Sequence, residues 1–241
     1  MPTPFSAATR RFKPSWLMTL LTVLLLAAFV NLGAWQWHRG EARQSVWAEY
    51  QKNAAPLRIA THVDEVERFK RISIEGHFEP AQQFLLDNRS HAGQAGYEVL
   101  TPFALTGGER LLVNRGWVPF TGYRDRLPDI SLSNVDVHRI TGRIEELPAA
   151  GLASGRAPPA AGPEWPKLTS FPTHAELQSA LGTKLARRVL LLDPDTPDGY
   201  VREWSPPGLA PERHFSYAIQ WWGFAVVLLV LYFGLNFRKV S

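Results

Sequence analysis

The chain has 241 residues, no cysteine and a formal net charge of +4, a size that leaves room for one soluble domain once its apolar ends are set aside. Lack of cysteine excludes disulfides, thiolate metal ligands and cysteine nucleophiles. Five cations in the tails, Arg10, Arg11, Lys13, Arg238 and Lys239, outweigh the total of +4 and leave −1 for the remainder, so the basic balance does not describe a nucleic-acid surface.

After a tail of residues 1–14, residues 15–37 form a run of 23 without a charged side chain. As a helix it reaches roughly 34 Å, enough to cross a hydrocarbon core of about 30 Å. The run is longer than the apolar core of a signal peptide and lacks a small-residue cleavage site, so it is expected to stay as a membrane helix. Trp16 at one edge and Trp35 and Trp37 at the other match aromatic belts. Asn31 is a polar group at membrane depth that needs a partner. Gln220 in the second apolar run lies at a matching depth, and a hydrogen bond between the two is expected. Beyond Trp37, helix-forming residues through Tyr50 extend the helix as an amphipathic stalk.

Residues 38–214 are expected to form a mainly antiparallel β domain. Its strands are expected at Arg71 to Phe78, Gln83 to Leu86, Tyr97 to Leu105, Arg110 to Val118, His138 to Glu145, Val189 to Leu192 and Tyr200 to Trp204. Thr106-Gly107-Gly108 is a hairpin signal, and Gly142 suggests a bulge. Pro148 to Pro172 holds six prolines and three glycines and is expected to be a mobile surface loop. Thr173 and Glu176 have the spacing of a capping box, and Gly182 supplies the stop of a short helix.

The second apolar run, residues 215–237, also spans 23 residues without a charge, and residues 238–241 close the chain. Basic tails beside two apolar helices are expected on the cytoplasmic side. The fold class is therefore a membrane protein of the α+β type, with two transmembrane helices flanking one extramembrane β domain. The bilayer of a bacterial inner membrane is the expected address, with both termini cytoplasmic and the central domain periplasmic.

Enzymatic motifs are scarce, and the seven histidines are scattered rather than set at ligand spacing. Asp87-Asn88-Arg89-Ser90-His91 is the densest polar cluster. It reads either as a turn held by its own hydrogen bonds or as a reactive constellation. Asn114-Arg115, before Gly116 and Trp117, is a second Asn-Arg pair; Asn88, Arg89, Asn114, Arg115 and Trp117 together suit a partner or anion site, or structural hydrogen bonding. His214 stands at the mouth of the second membrane helix, with Tyr217, Ala218 and Trp221 at i+3, i+4 and i+7. It reads either as an interfacial histidine without a ligand or as an axial ligand of haem iron, with Arg39 and Arg213 at the level where propionates meet water. His38 is a second candidate ligand.

Four motifs carry a family resemblance: His214-x-x-Tyr217-Ala218-x-Gln220-Trp221; Trp35-Gln36-x-x-Arg39; Leu86-Asp87-Asn88-Arg89 with Gly96-Tyr97-x-Val99-Leu100-Thr101-Pro102; and Val113-Asn114-Arg115-Gly116-Trp117-Val118-Pro119. In this order, between two apolar helices, the sequence resembles the surfeit-locus family of cytochrome c oxidase biogenesis factors over nearly its whole length. The resemblance implies a non-enzymatic assembly factor that transiently binds haem A and assists its insertion into subunit I of a haem-copper oxidase. It implies His214 as the iron ligand, with Tyr217, Gln220, Trp221, Trp35 and Arg39 around the cofactor. Cytochrome c oxidase subunit I and haem A synthase are the implied partners. A different class, a scaffold that stabilises an oxidase intermediate without touching haem, uses the β domain instead.

Overall fold

The computed structural model describes residues 10–52, 56–59, 62–132, 136, 138–150 and 155–239. The ends of both tails and residues 151–154 of the proline-rich stretch lie outside the described residues. The elements run β1 (Arg10–Phe12), α1 (Trp16–Lys52), β2 (Pro56–Ile59), β3 (Arg71–Phe78), β4 (Phe84–His91), β5 (Gln94–Leu105), β6 (Arg110–Pro119), β7 (His138–Glu145), β8 (Lys167–Thr169), α2 (His174–Leu181), β9 (Val189–Leu192), α3 (Pro211–Asn236) and β10 (Phe237–Lys239). They fall into two compact units, Met1–Ala48 with Pro206–Ser241, and Glu49–Ser205.

The first unit is an antiparallel pair of helices. Ser15 caps α1, its Oγ accepting from the Met18 amide at 3.2 Å, and the helix continues past the apolar run to Lys52, as the stalk pattern implied. α3 begins with Pro211 in its first turn, where the missing N–H costs nothing. Both helices are long and apolar enough to cross a membrane. On α1 Thr19, Thr22, Leu26, Phe29, Gly33, Gln36, Gly40, Arg43 and Trp47 recede from the surface three and four residues apart in alternation, with Ala34, Val46 and Tyr50 receding beside them. That is the 3.5-residue period of a left-handed coiled-coil seam. Glycine is required at two seam positions. A Cβ on Gly33 would fall inside the Trp222 indole, and one on Gly40 would meet the Phe215 ring at 2.5 Å. At the far end Thr19 Oγ1 and Tyr232 OH share a hydrogen bond of 2.8 Å. Phe237, expected as the last helical residue, instead opens β10, which pairs with β1.

The expected bond between Asn31 and Gln220 is not formed. Asn31 Nδ2 donates to the Ala27 carbonyl of its own helix at 2.7 Å. Asn31 lies midway between seam residues Phe29 and Gly33, so its side chain points away from α3.

The second unit is built on a closed β ring. β3, β7, β9, β6 and β5 pair in succession, and β5 returns to β3 through Gly76↔Leu105, His77↔Ala104 and Phe78↔Phe103. β5 closes the ring because it is long: its N-terminal part pairs with β4 and its last residues with β3 along the same edge. At the closure Gly76 abuts the Ala104 carbonyl with no room for a Cβ. Ile72, Ile74, Phe103, Leu111, Val113, Ile140 and Leu190 fill the interior. α2 covers a second cluster with Leu177 and Leu181 on Phe84, Leu86 and Leu100. Its ends are as expected: Thr173 and Glu176 form the reciprocal capping box, and Gly182 is left-handed at φ 68°.

Three expectations are corrected here. Gly142 sits in regular register opposite Ile72 and Leu192. No bulge is needed; the glycine admits the Leu191 carbonyl. The proline-rich stretch is not loop throughout, because Lys167–Thr169 is strand β8, parallel to β4, with Lys167, Thr169 and Ser170 buried. Lys167 Nζ donates to the Ala160 and Gly162 carbonyls, each at 2.7 Å, and fastens the preceding prolines to the sheet. Around Tyr200 to Trp204 only Val201 pairs, as an isolated bridge to Trp117. Arg202 turns back to donate to the Asp193 and Thr196 carbonyls, which satisfies those groups without a strand.

Candidate functional site

The helix pair orients the His214 ring. Its Nδ1 lies 2.9 Å from Gln36 Oε1, across the seam. An amide oxygen only accepts, so the neutral imidazole donates from Nδ1, and its lone pair is left on Nε2. Nε2 has no hydrogen-bond partner among the described residues. Gln36 stands in the quoted motif without an assigned role. Its signal was there: a polar side chain within an apolar helix finds its partner on a neighbouring helix.

Two turns below His214 the Trp221 ring stacks on Phe29, centroids 5.8 Å apart, with Phe224 edge-on to Trp221 at 5.8 Å. Ala218 is fully buried between these levels. Tyr217 and Gln220 flank the interface and are exposed, so the one-face grouping of His214 with Tyr217 holds only loosely. Trp35 and Arg39 are exposed on α1, the guanidinium 5.9 Å from the indole centroid. His38 is engaged elsewhere, its Nδ1 3.2 Å from Glu41 Oε2.

The five sheet residues divide into two environments. Arg115 follows Leu111 and Val113 on the inward face of β6 and is 2% exposed. It plugs the ring's end: Nε donates to the Asp198 carbonyl at 2.7 Å, and Nη1 to Gln83 Oε1 and the Ile130 carbonyl, each at 3.1 Å. Its guanidinium lies over Phe78 and Tyr200. Burial pulls its pKa below the usual arginine value, and the neighbouring Tyr200 and Asp198 oppose that shift. A side chain so enclosed offers no donor to a partner. The surface role expected of Arg115 is therefore not available to it, and what it holds is the end of the barrel.

Asn88, Arg89, Asn114 and Trp117 lie on the β4–β5–β6 part of the sheet. The two Asn-Arg pairs meet through a residue the sequence reading passed over, Glu98. Its Oε2 accepts from Asn114 Nδ2 at 2.7 Å, and its Oε1 is 3.6 Å from Arg89 Nε. The Asp87–His91 cluster is strand with a bulge after Leu86, not a turn. Asn88 takes φ 59° at that bulge and donates to Ser170 Oγ at 3.2 Å, while Asp87 accepts from Arg124 at 2.6 Å. Trp117 is largely buried over Gly96, its ring 5.3 Å from that of His91. Asp87 and His91 are thus each drawn into a separate structural contact and form no acid–base pair.

Comparison with known proteins adds the following. The family model described as "SURF1 family" matches residues 23–226. An uncharacterized SURF1-like protein of Mycobacterium tuberculosis is 27% identical over 226 residues, covering 89% of this chain and 81% of the relative. A SURF1-like protein of Rickettsia bellii is 32% identical over 103 residues, 41% of this chain and 43% of the relative. The cytochrome oxidase assembly protein SHY1 of Saccharomyces cerevisiae is 25% identical over 124 residues, 48% of this chain and 32% of the relative.

Proposed function

The chain belongs to the SURF1 family, and from that premise we propose that it is a membrane-anchored assembly factor for a haem-copper cytochrome c oxidase that binds haem A through His214 and assists its delivery to subunit I. The name of the yeast relative, a cytochrome oxidase assembly protein, supports the assembly role. The observation that carries the cofactor reading is the His214–Gln36 bond. It turns an interfacial histidine into an oriented donor with a free Nε2, the arrangement that metal-binding imidazoles use. Haem A is a fitting cargo for such a donor set. Trp221 and Phe29 present an apolar aromatic wall below the imidazole, and Arg39 is a cation suited to propionates.

When bound, haem supplies an iron that accepts the imidazole lone pair. The chain's own part is to bind and to let go. Gln36 keeps the proton on Nδ1, the aromatic wall excludes water, and exposed Tyr217, Gln220 and Trp35 border an open side. A single histidine on an open surface holds its cargo less firmly than a closed pocket, which suits transfer to a receiver that ligates it better. In this reading the protein breaks no bond. Its domain faces the periplasm of a bacterial cell, its basic tails stay inside, and haem A synthase is the source of the cargo.

Replacing His214 with Ala tests this. Ala is the better helix former, so the protein is expected to accumulate in the membrane. Its haem A absorbance is expected to fall sharply, and the oxidase of the same cells to lose haem and activity. Trp221→Ala, which removes packing but not the iron bond, is expected to cost less. Undiminished haem A binding by a stable His214→Ala protein would overturn the ligand assignment. Unchanged oxidase in both variants, with damage from Trp117→Ala instead, would point to a scaffold acting through the β domain.

A further inference from the structure

Lys167 is a lysine almost wholly withdrawn from water, 5% exposed, and the proposed function makes no use of it. Alternation along β8 buries it together with Thr169. Its ammonium carries three donors. Two go to the Ala160 and Gly162 carbonyls, each at 2.7 Å, and the Trp165 ring centroid lies 4.9 Å from Nζ. Among the described residues no carboxylate pairs with it; Glu176, which shares its cleft, is taken by Arg156. A buried charge is ordinarily paired, so this one has capacity left for an anion.

Beside Lys167, and with it in the lining, lies a cleft of about 390 Å³. Pro158, Pro159 and Ala161 form one wall, and Ser179 and Ala180 of α2 form the other. That size is at the lower end of the roughly 300–1,000 Å³ of small-molecule sites, whose usual lining is apolar with a few placed polar groups. Both walls are fixed by the chain itself. Ala157 and Ser170 exchange backbone hydrogen bonds of 3.0 and 2.9 Å, and Lys167 holds the carbonyls that follow. α2 is fastened by its capping box and by Leu177 and Leu181 in the core. A cleft so preorganised spends little on ordering when it is filled.

The charges around the cleft select its occupant. The Thr173 amide, and then Arg156, hold the Glu176 carboxyl below the usual carboxylate range, so it is an anion. Lys167 and Arg156 against Glu176 leave a single positive charge, which one carboxylate cancels. A dianion would exceed it and meet Glu176 as a like charge. Ser179 Oγ has no hydrogen-bond partner among the described residues and adds a neutral donor.

We propose that this cleft is a binding site for a short-chain monocarboxylic acid, its carboxylate held by Lys167 and Ser179 and its alkyl chain by the prolines and Ala180. The site lies within the β domain and does not depend on the haem reading.

The test is saturation-transfer NMR on the full chain in an uncharged detergent, with butyrate and its neutral isostere butanamide as probes. Butyrate is expected to bind at least about tenfold more tightly, the scale of a hydrogen bond to a charged group. Lys167→Met keeps the bulk of the stem and removes the ammonium, and is expected to bring butyrate down to the level of butanamide. That variant also releases two carbonyls of the loop, so Ser179→Phe is measured beside it. Position 179 is exposed on α2, where the fold accepts a ring, and the ring is expected to fill the cleft and abolish binding of both probes. Equal binding of butyrate and butanamide, a charge preference that survives Lys167→Met, or butyrate binding undiminished in Ser179→Phe would each overturn the site. Displacement of butyrate by inorganic phosphate at a lower concentration than acetate requires would overturn the ligand class, by identifying a general anion site.

Discussion

The helix pair and the β domain solve the same problem, where to put polar groups away from water, in opposite ways. In the helices, polar side chains return to their own backbone one turn back: Asn31 to Ala27, Asn236 to Tyr232, Ser216 to Glu212. Among the described residues, Thr19 with Tyr232, Gln36 with His214 and Arg43 with the Pro207 carbonyl reach from α1 to the α3 segment. In the β domain, buried polar groups are tied at long range. Arg115 joins residues 83, 130 and 198, Arg71 meets Asp193 and Arg68 meets Glu145. Local satisfaction leaves helices free to choose and change neighbours. Long-range networks fix one arrangement, because removing any member leaves others buried and unpaired. A rigid domain and an adaptable helix pair would suit the haem-carrying role proposed above.

That contrast can be broken most forcefully at Arg115. Arg115→Ala strips the donor from two carbonyls at the end of the ring and leaves Gln83 Oε1 to Thr101 alone, and is expected to destabilise the β domain by about 3–5 kcal/mol. Thermal unfolding of the detergent-solubilised chain, followed by near-ultraviolet circular dichroism, reads it; a loss below about 1 kcal/mol would mean the network is dispensable. Gly33→Leu is expected to cost about 1–3 kcal/mol in helix pairing by driving Trp222 out of its notch. Cysteine cross-linking between positions 36 and 214 in a doubly substituted chain would report the separation. Smaller for the fold but specific for function is Gln36→Leu. It is expected to change pairing by at most about 0.6 kcal/mol, yet to weaken haem A retention roughly 10–100-fold by releasing the imidazole tautomer. Asn31→Leu is expected to change neither pairing nor haem, since its bond is local and off the seam. A loss of more than about 1 kcal/mol there, well above a typical interhelical bond, would place a partner against that face.

How much of this could be read beforehand depends on whether the signal is local. β3, β7, β9 and α2 begin and end where alternation and the capping box put them, because those signals are completed within one element. β8 was hidden among prolines. Its strand geometry comes from β4 alongside and from Lys167 gripping the carbonyls of its own loop, neither of which the composition of residues 148–172 expresses. The ring closure through Gly76 needed the far end of β5. Arg115 was legible in principle, as its parity matches Leu111 and Val113; the charge drew attention from the alternation. The 3.5-residue seam was legible as well. Its small and polar members, Thr19, Thr22, Gly33, Gln36 and Gly40, do not stand out in a run scanned only for apolarity. At the site, His214 and its aromatic neighbours were found by type and spacing, but Gln36 and Glu98 had to be brought to them by folding.

The notch at Gly33 also has a place in time. Trp222, which fills it, lies 189 residues further along the chain, so at roughly 5–20 residues per second the ribosome delivers the indole about 10–40 s after the glycine. For that interval α1 is a lone span whose groove meets only lipid. The β ring needs nothing beyond β9 for its last strand, so it has its full set of strands before α3 emerges. The β1–β10 pairing comes later still, because β10 follows α3 along the chain. A chain whose synthesis has not yet reached Trp222 is thus left with an open groove on α1, lined at Gly33 by nothing of its own.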